Sequence, residues 1–178
     1  MKIRKCTEAD VTAVGAFYDK VVLWLDAHVN YPKWIYKEYP SEISVRDMTS
    51  RGEQYMCTEG DKIIAAFVLN KDPQGNYDRG NWKQSLPPGS YMVTHALAVE
   101  PELHGKGIAS GIIAFCAEKA KSEGCEALRA DIVPTNYPAR RFHEKYGFTY
   151  AGDADLERGF EEIPLFSLYE LDLRSKDE

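Results

Sequence analysis

The chain lacks the long apolar segments that would place it in or across a membrane. No stretch approaches the ~20 consecutive apolar residues that span a bilayer. The N-terminus, MKIRKCTEAD, has basic residues but no apolar run behind them, so it does not have the pattern of a secretory signal. Internal repeats and low-complexity tracts are absent as well. We therefore expect a globular protein with no membrane partner.

Cysteine is also scarce. The four cysteines show no close paired spacing of the kind that marks a zinc site or a disulfide framework; they are Cys6, Cys57, Cys116 and Cys125. We expect them to be reduced thiols. The sequence thus predicts a cytoplasmic protein that holds no metal.

Positive charge is in deficit, with a formal net charge of -6. Because a nucleic-acid footprint needs a concentrated basic surface, this balance argues against a nucleic-acid partner and favours a cationic small molecule or a basic peptide. Hydrophobic residues make up 44% of the chain and charged residues 28%, which is ordinary for a folded domain. At 178 residues the chain is long enough for one domain and short for two. We expect a single domain over residues 1–174 and a polar tail over 175–178.

The periodicity of apolar residues predicts a mixed α/β protein. The strongest local signal is a hairpin over 54–70, in which two β-prone runs flank Glu59-Gly60-Asp61. A capping box of Thr7 and Asp10 begins the first helix. A long loop, 71–90, is rich in Gly, Pro, Asn and Asp, and loops of that length are usually functional or mobile. The remaining predicted elements are strand 2–6, helices 11–25 and 41–51, strand 91–99, helix 107–122, strand 127–133, a helix capped by Asn136 and ended by Gly147, and strands 148–152 and 165–173.

A glycine-rich turn, HGKGIA over 104–109, stands where the third long helix begins. Glycine at 105 and 107 permits backbone angles that other residues avoid, and it removes side chains that would keep an anion from the peptide N–H groups. Lys106 adds a positive charge. Since the first amides of a helix have no intrahelical partner, the turn predicts a site for a phosphate-bearing ligand. The alternative is a turn whose glycines serve only tight packing of strand on helix.

Two nucleotide-binding patterns fit this turn poorly. A Walker loop needs Ser or Thr after its lysine, and Gly107 follows Lys106. A dinucleotide fold needs a third glycine, where Ser110 stands, and a turn directly after the strand, whereas EPELH intervenes. Asp131 does lie at the end of the next strand, but 47 residues after it are too few for several more crossovers.

The segments LAVEPELHGKGIASGIIAF (97–115) and NYPARRFHEKYGF (136–148) resemble the GNAT N-acetyltransferase superfamily. The signature of that family, Gln/Arg-x-x-Gly-x-Gly/Ala, is matched by HGKGIA except that His104 replaces Gln or Arg. The downstream pattern is matched by Asn136, Ala139, Gly147 and Phe148. The resemblance implies a single-domain acyl-CoA N-acyltransferase fold: a mixed, mostly antiparallel sheet with a splayed central parallel pair, 91–99 and 127–133, flanked by helices.

The resemblance also implies the activity. The expected reaction is transfer of an acetyl group from acetyl-CoA, as co-substrate, to a primary amine of a small molecule or peptide, by direct attack in a ternary complex. The alternative is a catalytically inactive CoA-binding sensor or partner module. Dimers are common in the family, so a homodimer is one expectation for the assembly.

The resemblance also implies which residues of this chain would bind CoA. The backbone of the strand, at Leu97, Ala98 and Val99, would pair with the pantetheine arm. Asn136 would either touch that arm or only cap the helix that follows it. The diphosphate would lie on the turn and the first turn of the helix, a set that comprises His104, Gly105, Lys106, Gly107, Ile108, Ala109 and Ser110.

The catalytic groups are less completely matched. In HALAV, 95–99, His95 stands where the arylalkylamine N-acetyltransferases have the second of two histidines, but Val93 replaces the first. His95 is therefore either the general base or a hydrogen-bonded core histidine. On period-2 counting it shares a face with Val93, Leu97 and Val99. Asp131 and Glu100 are reserve bases.

The general acid stays unassigned by the sequence. The resemblance places His143, in the segment RRFHEKYGF, where many members have a tyrosine that acts as the general acid. His143 is the first candidate, with packing against its helix neighbours as the other interpretation, and Tyr146 is the nearest phenol. Thiolate also leaves without help, because a thiol pKa near 8.5 makes it a fair leaving group.

Aromatic side chains of the first helices and of the 71–90 loop are expected to frame the acceptor. Cation–π contact with an amine is worth ~0.5–2 kcal/mol, although each of these rings also suits ordinary packing. Asp131 is a further candidate for orienting the acceptor. The rings are Trp34, Tyr36, Tyr39, Tyr77 and Trp82.

Overall fold

A computed structural model describes residues 1–174 of the chain. Its strands are β1 (Lys2–Lys5), β2 (Gln54–Glu59), β3 (Lys62–Asn70), β4 (Tyr91–Val99), β5 (Ala127–Ile132), β6 (Thr149–Ala154) and β7 (Phe166–Asp172). Its α-helices are α1 (Val11–Asp26), α2 (Glu42–Ser50), α3 (Ile108–Ser122) and α4 (Tyr137–Tyr146). The predicted element order is confirmed. The predicted domain boundary stays a prediction, and the proposed tail, 175–178, lies outside the described residues.

The seven strands form one sheet in the order β1-β2-β3-β4-β5-β7-β6. β4 and β5 are parallel, while β1 with β2, β2 with β3, β5 with β7, and β6 with β7 are antiparallel. The register of the parallel pair runs from Tyr91↔Ala127 to Val93↔Arg129. β4 then continues to Val99 and β5 to Ile132. The mixed, mostly antiparallel sheet with one parallel pair confirms the predicted fold class.

Contacts along the chain group into two compact units. The first unit contains Met1–Leu69 and His95–Ile113. The second unit contains Asn70–Thr94 and the described chain from Ala114 onward. β4 and α3 each contribute residues to both units.

The core of the first unit forms where α1 and α2 bury their apolar faces. Arg4 makes a bidentate ion pair with Asp10, whose carboxylate also accepts from the Thr7 amide, so the predicted capping box is present. A methyl group on Gly15 would lie 2.9 Å from Glu42, which shows how closely α1 and α2 approach. The buried residues of this cluster are Cys6, Val11, Val14, Phe17, Tyr18, Val21, Val45, Met56, Ala66 and Ala98.

The second unit has its own apolar cluster, and a buried ion pair lies beside it. Arg129 Nε lies 2.9 Å from a carboxylate oxygen of Glu170, and both side chains are almost fully buried. The guanidinium lies 3.9 Å from the ring of Trp82 and 4.1 Å from that of Tyr91. The cluster consists of Tyr77, Tyr91, Val93, Ala127, Ala151, Ala154, Leu156, Phe166 and Leu168.

Candidate functional site

The glycine turn, defined as residues 104–107, adopts the backbone conformation that its composition predicts. Gly105 has φ +78° and Gly107 has φ +81°, a left-handed region that strongly favours glycine. A methyl group at either position would meet no atom of residues 1–174 within 4 Å. The interpretation that these glycines serve tight packing is therefore wrong. They shape an open turn instead, and an open turn leaves its backbone accessible.

Backbone donors gather at this turn. α3 begins at Ile108, and the first α-helical bond of the turn runs from the Gly111 amide to the Gly107 carbonyl oxygen, 3.0 Å away. The amides of 108–110 come before the first intrahelical bond. Like the first amides of any helix, they have no acceptor within the helix. α3 is anchored in the protein by four fully buried residues, Ile112, Ile113, Cys116 and Ala120.

β4 departs from regular alternation at Ala96. This residue has φ +48°, so the pleat is interrupted in mid-strand. The shared face of His95, Leu97 and Val99, expected from period-2 counting, stays a prediction. Leu97 and Val99 are half-buried, whereas His95 and Ala98 are buried.

Tyr18 of α1 stabilises this irregularity. Its hydroxyl donates to the Ala96 carbonyl oxygen at 2.8 Å and accepts from Gln54 Nε2 at 3.4 Å. Burial raises the pKa of the phenol far above its usual range, so the hydroxyl stays a donor. Tyr18 was not among the residues predicted from the sequence. The available signal was a tyrosine beside the apolar stripe of a helix, where a buried hydroxyl needs a partner.

The end of β4 and the glycine turn carry further contacts. Glu100 is 2% exposed and accepts from Lys20 Nζ at 2.7 Å. The imidazole of His104 is exposed, and its Nε2 lies 3.2 Å from the Val99 carbonyl oxygen. Lys106 is also exposed, as a side chain that binds a phosphate group would need to be. Among the expected CoA residues, Leu97–Val99 and 104–110 therefore lie on one continuous piece of the first unit.

The remaining predicted CoA and acid residues lie in the second unit. Asn136 caps α4, since its side-chain oxygen accepts from the Ala139 amide at 3.3 Å. His143 is 6% exposed, and its Nδ1 lies 2.8 Å from the Ala139 carbonyl oxygen. Tyr146 is half-buried beside Phe142. The capping role predicted for Asn136 is confirmed.

The environment of His143 opposes proton donation. A carbonyl oxygen only accepts, so Nδ1 carries the hydrogen and Nε2 of the neutral ring has only a lone pair. Burial lowers the pKa of His143 below its usual value, an effect that the bond to Ala139 partly offsets. The neutral ring can therefore accept a proton at Nε2 but cannot donate one there.

The residues expected around the acceptor make extensive internal contacts. Trp34, in the first unit, packs edge-on to Tyr18 with ring centroids 6.1 Å apart. Tyr36 and Tyr39 are exposed. In the second unit, Trp82 Nε1 donates to the Tyr77 carbonyl oxygen at 2.5 Å, and Tyr77 is 3% exposed.

Asp131 is the hub of a polar network that the sequence did not predict. Arg158 binds both of its carboxylate oxygens, at 2.7 and 2.9 Å, and the Tyr77 hydroxyl donates to it at 2.7 Å. Arg158 also donates to the carbonyl oxygens of Pro73 and Gln74. Arg158 lies in a loop that carries no motif, so nothing in the sequence marked it as the partner of Asp131.

Residues 1–174 contain neither a membrane-spanning helix nor a metal-binding cluster. No helix in this part of the chain is both long and apolar enough to cross a bilayer. Within the same residues, no group of three or more His, Cys, Asp or Glu side chains is arranged to hold a metal ion.

Residues 21–148 match the acetyltransferase (GNAT) family. The chain belongs to this family. No curated protein matches the chain.

Solved structures show the same fold over nearly the full length. A GNAT-family acetyltransferase from Streptococcus agalactiae 2603 has a TM-score of 0.79 at 16% identity, with 98% of this chain and 96% of that one covered. The yncA protein of Salmonella typhimurium, solved with its cofactor acetyl-CoA, has a TM-score of 0.69 at 17% identity and coverage of 100% and 96%. An N-acetyltransferase from Staphylococcus aureus Mu50 has a TM-score of 0.68 at 20% identity and coverage of 97% and 98%.

Proposed function

We propose that the protein is an N-acetyltransferase that uses acetyl-CoA as co-substrate and acetylates a primary amine of a small molecule or peptide by direct attack in a ternary complex. The observation that carries the proposal is the open glycine turn, with Gly105 and Gly107 left-handed and clear of neighbouring atoms. Membership of the GNAT family and the acetyl-CoA in yncA support it. A cytoplasmic location and a homodimer belong to the same proposal.

The residues present fit a diphosphate at the turn. The space that a side chain at either glycine would enter is open. The amides of 105 and 107–110 would bind the diphosphate oxygens. The Lys106 amide donates to the Leu103 carbonyl oxygen at 3.3 Å, so Lys106 would contribute its side-chain charge instead. The backbone of Leu97, Ala98 and Val99 would hold the pantetheine arm.

Acetyl-CoA supplies an acetyl thioester; the acetyl group ends on the amine nitrogen, and CoA leaves as the thiol. The amine has to lose a proton before or during attack, and His95 is the proposed acceptor, directly or through water. Its place immediately before the irregular Ala96 sets it at the point where β4 departs from regular pairing geometry. Glu100 is the reserve, although its pairing with Lys20 favours a fixed carboxylate.

The acid role fits Tyr146 better than His143. Nδ1–H of His143 donates to the Ala139 carbonyl oxygen, and burial of the imidazole favours the neutral form of the ring. A phenol carries its own proton at neutral pH. We propose that Tyr146 donates or that the thiolate leaves without a dedicated acid.

The acceptor would meet aromatic and acidic side chains. In the second unit, Tyr77 and Trp82 already make internal contacts, so they would contribute ring faces rather than new hydrogen bonds. Trp34, in the first unit, is a separate candidate ring and packs against Tyr18. Asp131 would contribute a carboxylate whose charge is shared with Arg158.

A CoA-binding module without turnover is the second candidate. The observation that favours it is the engaged, buried His143 together with Val93 at the position of a relay histidine. Binding of CoA with no thiol release across a broad amine panel would select this candidate.

Thermal denaturation and thiol release test the proposal. Acetyl-CoA should raise the melting temperature by mass action, NAD and ATP should not, and an amine panel should release thiol. Gly107→Leu should weaken CoA binding at least ~10-fold, since loss of a single charge-assisted bond has that effect. Gly124→Leu is the matched control, because Gly124 has φ +73°, is equally open, and stands at the other end of α3. Equal CoA affinity in the two variants would refute the turn as the diphosphate site.

A further inference from the structure

Side chains of α1 contact the end of β4 and the glycine turn at three evenly spaced points. The Tyr18 hydroxyl bonds the carbonyl oxygen of residue 96, and Lys20 pairs with Glu100. Trp24 packs edge-on to His104, with ring centroids 5.7 Å apart and planes at 84°. All of these residues belong to the first unit. One helix thus holds the chain at residues 96, 100 and 104.

The third contact continues into the turn itself. His104 Nε2 lies 3.2 Å from the Val99 carbonyl oxygen, and because that oxygen only accepts, Nε2 carries the hydrogen. Behind this pair, the face of Trp24 stacks on His28 at 4.1 Å with an interplanar angle of 18°. His28 in turn bonds the Trp24 carbonyl oxygen through Nδ1 at 2.7 Å. Trp24 is thereby held by its neighbours before it meets His104.

We propose that His104 is a positioning residue for CoA binding, which acts by pinning the glycine turn to the end of β4 and to Trp24 rather than by contacting the anion. This inference rests on the proposed function. The two glycines give the turn more backbone freedom than other residues would, and a free turn loses entropy when a ligand orders it. A side chain that fixes residue 104 against Val99 and Trp24 reduces that loss, because the amides after it are already placed.

Isothermal titration of CoA itself tests the inference without measuring turnover. His104→Ala should raise the Kd about 5- to 10-fold, the factor that a neutral hydrogen bond contributes. His104→Gln should restore the affinity to within about 2-fold, because an amide N–H donates to the Val99 carbonyl oxygen without carrying charge. Trp24→Ala should weaken binding as well, and the double variant should bind no more weakly than His104→Ala, since both act through one contact.

Salt dependence separates positioning from direct contact with phosphate. The ratio of Kd between His104→Ala and the wild type should be the same at 50 and 300 mM NaCl, because the lost bond joins His104 to a backbone carbonyl oxygen and not to a phosphate. Lys106→Ala is the contrast, and its effect should shrink at the higher salt. A His104 effect that shrinks in parallel with that of Lys106, or a Gln variant as weak as the Ala variant, would overturn the inference.

Hydrogen exchange of the ligand-free protein gives a readout that does not depend on CoA. Amides of 104–110 should exchange faster in His104→Ala than in the wild type, while those of β2 and β3 should not change. A wild-type protein that does not bind CoA would sink the proposed function and leave this result standing. Unchanged exchange together with unchanged CoA affinity in His104→Ala would refute the positioning role alone. His104 is exposed, so both variants are expected to fold, and their melting temperatures check this.

Discussion

The hydroxyl of Tyr18 donates a hydrogen bond of 2.8 Å to the carbonyl oxygen of Ala96, a residue 78 positions further along the chain. Ala96 has φ +48°, which a non-glycine residue adopts only when its surroundings stabilise it. Tyr18 supplies that stabilisation from a neighbouring helix, and Gln54 fixes the tyrosine in place. A side chain of α1 thus stabilises the conformation of β4, the strand that carries the proposed base and the proposed pantetheine contacts.

Tyr18→Phe should destabilise the protein and weaken CoA binding together. The substitution removes the side-chain donor to the Ala96 carbonyl oxygen, which costs about 1–3 kcal/mol. Gln54 Nε2 keeps its bonds to the carbonyl oxygens of Tyr55 and Phe67. Urea denaturation measures the loss, and titration of CoA measures the binding. Tyr137→Phe is the control, since the Tyr137 side chain is 53% exposed. Equal unfolding free energies in the two variants would show that the bond does not hold the strand.

The Arg129–Glu170 pair should be costly to break from one side only. Both side chains are at most 5% exposed, so Arg129→Leu or Glu170→Leu leaves an uncompensated buried charge and should cost about 3–5 kcal/mol. The double variant should cost clearly less than the sum, which a double-mutant cycle in urea measures. Asp47→Asn, which breaks the half-exposed pair with Arg51, should cost at most about 0.5 kcal/mol. Additive single losses would contradict the coupling.

Local signals predicted those parts of the structure that local physics controls. Gly60 at the tip of the hairpin, Asn136 and Gly147 at the two ends of α4, and the glycine pair of the turn all have the roles expected from their types. Each of them acts within a few residues of its own position. The spacing of the glycine pair, Asn136 and Gly147 carried the family resemblance. The match of residues 21–148 to the GNAT family confirms that resemblance.

Long-range partners were not predictable in the same way. Alanine carries no sign of a left-handed conformation, so the interruption at Ala96 is imposed by tertiary contacts and not by residue type. Arg158 meets Asp131 from a loop 27 residues later, in a segment with no periodicity. The sequence showed that these residues exist but not which of them meet.

Arg158→Lys should loosen the loop that the arginine ties down. Lysine keeps the charge but cannot bind both oxygens of Asp131 while also reaching the carbonyl oxygens of Pro73 and Gln74. We expect a loss of about 1.5–3 kcal/mol, the value of one charge-assisted bond, and faster hydrogen exchange over residues 72–76. Arg141→Lys, at an exposed position of α4, should change neither quantity. Unchanged exchange in the Arg158 variant would mean that the network does not hold this loop.

Acid should destabilise the protein through His143. Burial lowers the pKa of this ring in the folded state, so as the pH falls below about 6.5 the unfolded chain takes up a proton that the folded chain does not. The unfolding free energy should then fall by up to about 1.4 kcal/mol per pH unit from this residue, with no contribution above about pH 7.5.

His143→Asn, which keeps a donor for the Ala139 carbonyl oxygen, should reduce the slope measured by urea denaturation between pH 7.5 and 5. His28→Asn is the matched control, because it removes an exposed ring with the same bond to the carbonyl oxygen four residues before it. The low pKa of Asp10, held down chiefly by its hydrogen bonds from Arg4, acts below pH 4 and so does not overlap this range. A His143 variant with the full wild-type slope would show that this ring does not titrate differently on folding.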